Sequence, residues 1–326
     1  SKGDARLSVV HDDLHLFRIG SVCRQNKAIA VVVSNSGGIV CVRVLQGVLQ
    51  NGFVDVSFVL VDPNAVNTMA SAYWSNFWNN PKQNLDYTTM DNLVAALPSL
   101  STMDTCITEE EMQWAVAHLQ VDKAPGMDGF SNWELHHMPP QLLSFLHQIL
   151  NAITRTGTWP TQLLHSRMTL LRKTEQYGDI TSTRPITILA TVYRLWAKIQ
   201  ARKIFQHIHR VLPRKLFGSV PRRSALEMAA LEQGCLEHSL INGCPMSGCS
   251  LDISKAYNTI PRVFLEKISA RLGLQSVWRP YSSFLAQNQR YFVTDGFWSP
   301  PVGSQVGVPE GCPLAVLQMI FLTWSV

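Results

Sequence analysis

The chain has 326 residues, 46% hydrophobic and 16% charged, with nine tryptophans and thirteen phenylalanines, which is ample for a large core in two or three subdomains and excludes a disordered tail. The net charge of +5 conceals an asymmetry: Pro160 to Ala225 holds thirteen Lys or Arg against two acids, Glu175 and Asp179, a net +11, while the remainder is −6. A basic block in an otherwise acidic chain suits a polyanion partner, with a solvated charged face as the alternative.

Residues 28–62 read as a small β region. Ala28–Ser34 and Ile39–Leu45 are apolar and rich in β-formers, Asn35-Ser36-Gly37-Gly38 supplies the turn, and Phe53–Val61 alternates well enough for a third strand. A helical segment follows with Met69, Tyr73 and Phe77 on one stripe, while Trp74 and Trp78 are expected in the core. Pro81 to Asp104 reads as a polar connection closing a first region, 1–104. Thr108-Glu109-Glu110-Glu111 is a capping box, opening a helix whose Met112, Ala115, Val116 and Leu119 share a face. That helix stops before Lys123-Ala124-Pro125-Gly126-Met127-Asp128-Gly129, where Pro and two glycines exclude regular structure. Leu142–Thr156 is a second helix with Leu143, Leu146, Leu150 and Ile153 inward, ended by Gly157.

Met168–Arg172 and Pro185–Leu189 read as two strands joined by a polar turn around Gly178. The helix from Thr191 to His209 places Arg194, Lys198 and Arg202 four apart, along one side; phosphate contact and plain solvation are both open for this stripe, and the surrounding charge favours contact. Ala225–Leu240 fits a helix, Cys249–Ile253 a short buried strand, and Pro261–Leu272 a helix opened by Pro and closed by Gly273. Arg290–Thr294 and Phe297–Val302 form a hairpin around Asp295-Gly296. Pro313–Val326 is short and interrupted by Gln318, Thr323 and Ser325, so a buried helix is expected there and no membrane anchor. No basic-then-apolar leader follows Ser1, so nothing suggests secretion. The seven cysteines lack paired CxxC spacing and read as reduced core thiols, not as a disulfide framework or a zinc site.

Three places carry candidate chemistry. In Leu251-Asp252-Ile253-Ser254-Lys255-Ala256-Tyr257-Asn258 a carboxylate is expected at the end of a buried, apolar strand, where a divalent metal would compensate its charge; an Asp capping the turn after a strand is the equal alternative. In Gly307-Val308-Pro309-Glu310-Gly311-Cys312-Pro313-Leu314 two glycines let backbone approach a flat ligand such as a base pair, although an ordinary glycine-rich turn has the same composition. Lys173 and Arg184, on the two strands of the basic block, suit a triphosphate or are unrelated surface cations.

The order of these blocks resembles the reverse transcriptase domain of non-LTR (LINE-type) retrotransposons, and more distantly that of group II intron proteins, from Thr108 to Val326. The resemblance implies an α+β right-hand polymerase fold with fingers plus a partial palm: 1–104 an N-terminal extension with a small β-rich region, 105–247 fingers, and 248–326 an incomplete palm. It implies an RNA-directed DNA polymerase (reverse transcriptase) that uses two Mg²⁺ ions. Asp252 would be the first catalytic and metal-binding aspartate, with the main-chain carbonyl of Ile253 beside it. Tyr257 would sit against the incoming sugar, Lys173 and Arg184 would face the triphosphate, and Glu310 and Gly311 would lie by the nascent base pair. The loop that opens at Lys123 would meet the template. The implied partners are template RNA, a DNA primer and deoxynucleoside triphosphates, in an intracellular ribonucleoprotein of the nucleus or cytoplasm and without a membrane.

The chain departs from the usual pattern at several points. Asn258 stands where Asp is usual, Glu310 where Gln is commoner, and the Leu216–Ser219 block lacks its usual Gln and Phe. An aromatic-Ala-Asp-Asp hairpin is absent before Val326, so this fragment is expected not to polymerise alone. The competing readings are a degenerate copy that binds nucleic acid without chemistry, and an unrelated α/β protein whose motifs agree by chance.

Overall fold

The structure is a computed structural model that describes residues 4–8, 22–25, 28–36, 39–46, 63–79, 86–172 and 180–325. Phe53–Val61, Lys173 and the turn around Gly178 lie outside the described residues. The architecture is α+β, and the chain divides into two compact units: Ser1–Trp74, Thr169–Pro185 and Tyr291–Pro301 form one, and Ser75–Met168, Ile186–Arg290 and Val302–Val326 form the other.

The smaller unit opens with β1 (Asp4–Ser8), β2 (Val22–Gln25), β3 (Ala28–Ser36) and β4 (Ile39–Gln46), an antiparallel sheet of order β1-β4-β3-β2. The expected β3–β4 hairpin is present, with Ser36 opposite Ile39. The short outer strands were not legible, because so few residues gain strand character only from a paired neighbour. Helix α1 (Pro63–Asn79) begins here. It buries Asn67, Ala70, Trp74 and Trp78, the two tryptophans in the core as expected, while Met69 on the neighbouring stripe is 45% exposed. Both stripes have helical spacing, and the larger, flatter indoles decide which one packs.

The larger unit includes Pro81 to Asp104, where a polar connection was expected. Asp86 instead caps a helix, α2 (Tyr87–Ala96), by accepting from the Thr89 amide, and Leu97 and Met103 beyond it are buried. Helix α3 (Glu109–Ala117) carries the expected reciprocal capping box of Thr108 and Glu111. Ser131 and Glu134 make a second box on the unforeseen α4 (Asn132–His136). Helix α5 (Pro140–Thr156) buries Leu146, Leu150 and Ile153 and ends at Gly157 with φ 72°. The chain then forms β5 (His165–Arg172) and β6 (Thr183–Ile188).

Helix α6 (Thr191–Ile208) is the axis of this unit, with buried residues on most of its circumference. Around it, Tyr193 stacks on Phe284 at 3.8 Å and Trp159 meets Trp196 edge-on at 5.1 Å. Such aromatic pairs are each worth about 0.5–1.5 kcal/mol beyond the area they bury. Helix α7 (Ala225–Asn242) is capped by Ser224 and Glu227 and closed by Gly243, yet none of its residues is buried. A single turn, α8 (Ala256–Thr259), precedes α9 (Arg262–Arg271) and α10 (Gln275–Gln287). Strands β7 (Gln289–Thr294) and β8 (Phe297–Trp298) form the expected hairpin, with Asp295 at φ 48° and Gly296 at φ 83°. The second sheet has the order β6-β5-β7-β8, and helix α11 (Pro313–Ser325) closes the described chain.

One expectation fails in a place that matters. Cys249–Ile253 is not a buried strand: residues 249–253 have no regular structure, all are exposed, and Leu251 is 84% exposed. An apolar run becomes a buried strand only if a sheet accepts its backbone groups, and no described strand pairs with this one.

Candidate functional site

The glycine-rich turn and the segment after Asp252 come together. Val308 donates its amide to the Tyr257 carbonyl at 2.7 Å, and Gly307 donates to the Ile260 carbonyl at 2.9 Å. Gly307 has φ +74°, and a Cβ there would stand 2.7 Å from the Asn258 carbonyl oxygen, so only glycine allows so close an approach. Gly311, at φ +108°, serves the other side, where a Cβ would lie 2.7 Å from the Thr187 carbonyl. The Thr187 amide donates to the Glu310 carbonyl at 2.8 Å, which fastens the turn to β6.

The side chains continue the seam. The Trp78 indole N–H donates to Asn258 Oδ1 at 3.1 Å, and Asn258 Nδ2 donates to Glu310 Oε1 at 2.6 Å. Tyr257 is half-buried; burial first, and then the negative charge of Glu310, pushes its phenol above the ordinary value. Cys312 is buried with its Sγ 3.1 Å from the Tyr193 hydroxyl, and burial raises its thiol, which therefore serves packing and not reactivity.

Arg262 and Arg290 were missed. Arg262 donates from Nε to the Gly307 carbonyl at 3.0 Å and from Nη2 to Ser304 Oγ at 2.6 Å, and its Nη1 reaches the Leu285 carbonyl at 3.2 Å. Burial lowers its guanidinium to about 10. A sequence signal existed: a cation in the first turn of a helix opposes the helix dipole, so Arg262 just after Pro261 needed a tertiary reason. Arg290 is only 1% exposed and lies 4.7 Å above the Trp78 ring. Burial, with Arg262 adding to it, lowers its guanidinium to about 9, and its Nε and Nη2 find no hydrogen-bond partner among the described residues.

The basic stripe of α6 is engaged with its own protein. Arg194 Nη2 donates to the Ala124 carbonyl at 2.9 Å, Lys198 Nζ to the His118 carbonyl, and the Arg202 guanidinium stacks 3.8 Å from the Trp114 ring. Burial lowers Arg194 and Lys198 from their ordinary values, opposed at Arg194 by the nearby Asp128. The loop following Lys123 is docked as well: Asp128 accepts from the Thr191 and Val192 amides at 3.0 and 2.9 Å, capping α6 from outside its own sequence. Lys123 itself is exposed.

Tyr257, Glu310 and Gly311 are thus brought into one place. Arg184 is exposed on β6 in the smaller unit, and Lys173 lies outside the described residues. Asp252 and Ile253 are exposed, which corrects the buried acid expected at 252. A hard divalent ion needs several oxygen ligands, and among the described residues no three Asp, Glu, His or Cys side chains converge. Those residues do not form a metal site by themselves.

No family model matches the chain. It is similar to an RNA-directed DNA polymerase from the mobile element jockey of Drosophila melanogaster, at 24% identity over 64% of this chain and 23% of that protein. It is also similar to an uncharacterized 149 kDa protein of transposon TX1 from Xenopus laevis, at 23% identity over 81% of this chain and 20% of that protein. A probable RNA-directed DNA polymerase from transposon BS of Drosophila melanogaster is 25% identical over 70% of this chain and 26% of its own length. The resemblance read from motif order holds against these relatives, and the chain spans only about a fifth to a quarter of their length. No described helix is long and apolar enough to cross a membrane.

Proposed function

We propose that this chain is the fingers and part of the palm of an RNA-directed DNA polymerase of the non-LTR retrotransposon kind. In this reading 1–104 is an N-terminal extension, 105–247 the fingers and 248–326 the partial palm of a right-hand fold. The observation that carries it is the seam between two motif blocks 52 residues apart, where Asn258 donates to Glu310 and Val308 to Tyr257. An ordinary glycine turn would not need to meet the one segment that bears the candidate aspartate and aromatic. The similarity to named RNA-directed DNA polymerases supports the same reading.

On this proposal Tyr257 faces the incoming sugar, Glu310 and Gly311 flank the nascent base pair, and Lys173 and Arg184 meet the triphosphate. The substrates of the whole protein are template RNA, a DNA primer whose 3′-hydroxyl displaces pyrophosphate in line, and deoxynucleoside triphosphates, within an intracellular ribonucleoprotein. Asp252 and the Ile253 carbonyl are proposed to contribute to a pair of Mg²⁺ ions. One carboxylate does not hold such a pair, so further acids must join it and this chain alone is proposed to be inactive.

The test is primer extension on an RNA template. This chain should incorporate nothing, whereas a longer form bearing the additional palm carboxylates should incorporate deoxynucleotides and lose about 10³-fold or more on Asp252→Asn. Incorporation indifferent to that substitution overturns the assignment. Asp252 is exposed and joins no cluster of potential metal ligands among the described residues, which favours a second reading, a nucleic-acid-binding remnant without chemistry. Salt-sensitive RNA binding unchanged by Asp252→Asn, with no incorporation by any form, would select it.

A further inference from the structure

Asn258 is 3% exposed, and both ends of its side-chain amide are committed. Its Oδ1 accepts from the Trp78 indole, which can only donate, and this fixes which end is oxygen. Its Nδ2 must then point the other way, where it donates to Glu310 Oε1 at 2.6 Å. Trp78 is itself fully buried beneath the Arg290 guanidinium, so the indole has no freedom to turn. The result is a directional chain of donors, indole to amide to carboxylate, ending on the half-buried Glu310 beside Tyr257.

We propose that Asn258 is a positioning residue for Glu310, and that the two form a reciprocal pair in which the donor sits on the buried member and the charge on the outer one. The two departures noted in the sequence, Asn for Asp at 258 and Glu for Gln at 310, then become a single change. With Asp and Gln at these positions the same bond forms in the opposite direction, the outer amide donating to the buried carboxylate, which still accepts from Trp78. Either change alone damages the pair. The version present here spares the protein a buried charge and sets a negative charge on the turn. That this charge faces a nucleotide rests on the polymerase reading; the pairing itself does not.

The test is a double-substitution cycle on this chain, followed by thermal unfolding between about pH 5 and 7.5. Asn258→Asp alone puts two carboxyls within hydrogen-bond distance, where they share a proton, and should lower Tm by roughly 5 °C or more at neutral pH. Sharing raises the folded pKa of one carboxyl above its unfolded value of about 4, so the loss shrinks as pH falls toward that value and grows as pH rises. Glu310→Gln alone leaves the Asn258 amide a neutral acceptor and should cost less, about 2 °C. The double variant should regain most of the wild-type Tm and lose the pH dependence of Asn258→Asp. A double variant no more stable than Asn258→Asp, or an Asn258→Asp variant with wild-type stability across the pH range, overturns the proposal. If Asn258→Asp does not fold, recovery or failure of the double variant decides alone. None of these readings needs a substrate, so failure of the polymerase assignment would leave them standing.

Discussion

The turn at 307–312 and the stretch from α7 to Asp252 both carry residues that the sequence singled out, and they could hardly be held more differently. The turn is sewn to α8, α9 and β6 by backbone hydrogen bonds, by Arg262 and by the Asn258–Glu310 pair. Helix α7 is better built locally, with a complete capping box and a left-handed glycine cap, but no residue in it is buried, and Leu240 and Ile241 are 82% and 83% exposed. Local signals make a helix; they do not give it a place. The glycine-rich turn has weak local signals and a place fixed by its neighbours.

That comparison can be broken at its firmest point first. Gly307→Ala would force a Cβ against the Asn258 carbonyl at a positive φ, and about 3–4 kcal/mol of stability should be lost in urea unfolding. Wild-type behaviour would mean that the turn is not pinned. Arg262→Met keeps the apolar stem but strands the Gly307 and Leu285 carbonyls and Ser304, and should cost about 2–3 kcal/mol in the same measurement. A cost below 0.5 kcal/mol, on the scale of an ordinary surface change at about that size, would remove Arg262 as the clamp. The smallest effect sharpens the other side: Leu240→Lys and Ile241→Lys in the last turn of α7, where a cation suits the helix dipole, should each change stability by no more than about 0.5 kcal/mol. A loss of several times that figure would show these side chains to be packed.

Much of the fold was legible. The capping box at Thr108, the glycine stop at Gly157, the β3–β4 hairpin, the Asp295-Gly296 hairpin and the inward leucines of α5 rest on interactions among residues close in sequence, and each stands where it was expected. The errors have one origin. Cys249–Ile253 looked like a buried strand because it is apolar, and α2 was taken for a connection because it is polar. Burial depends on a partner surface supplied from elsewhere in the chain, and periodicity carries no information about that surface.

The candidate site divides in the same way. Motif order named Tyr257, Glu310 and Gly311, and the structure brings them together; it does not bury Asp252. The clamp of Arg262 and the support of Trp78 had no motif to announce them, because their roles exist only across 45 and 180 residues of intervening chain.

What the sequence determined by itself was the elements that carry their own caps and turns and the resemblance of the motif order, since capping, turn chemistry and residue spacing act within a few positions. What only the tertiary structure decided was which apolar runs are covered, which cations are engaged by carbonyls and rings, and that Asn258 and Glu310 share one hydrogen bond. Those depend on donors and acceptors meeting within about 3 Å across long stretches of chain, and that meeting is set by packing.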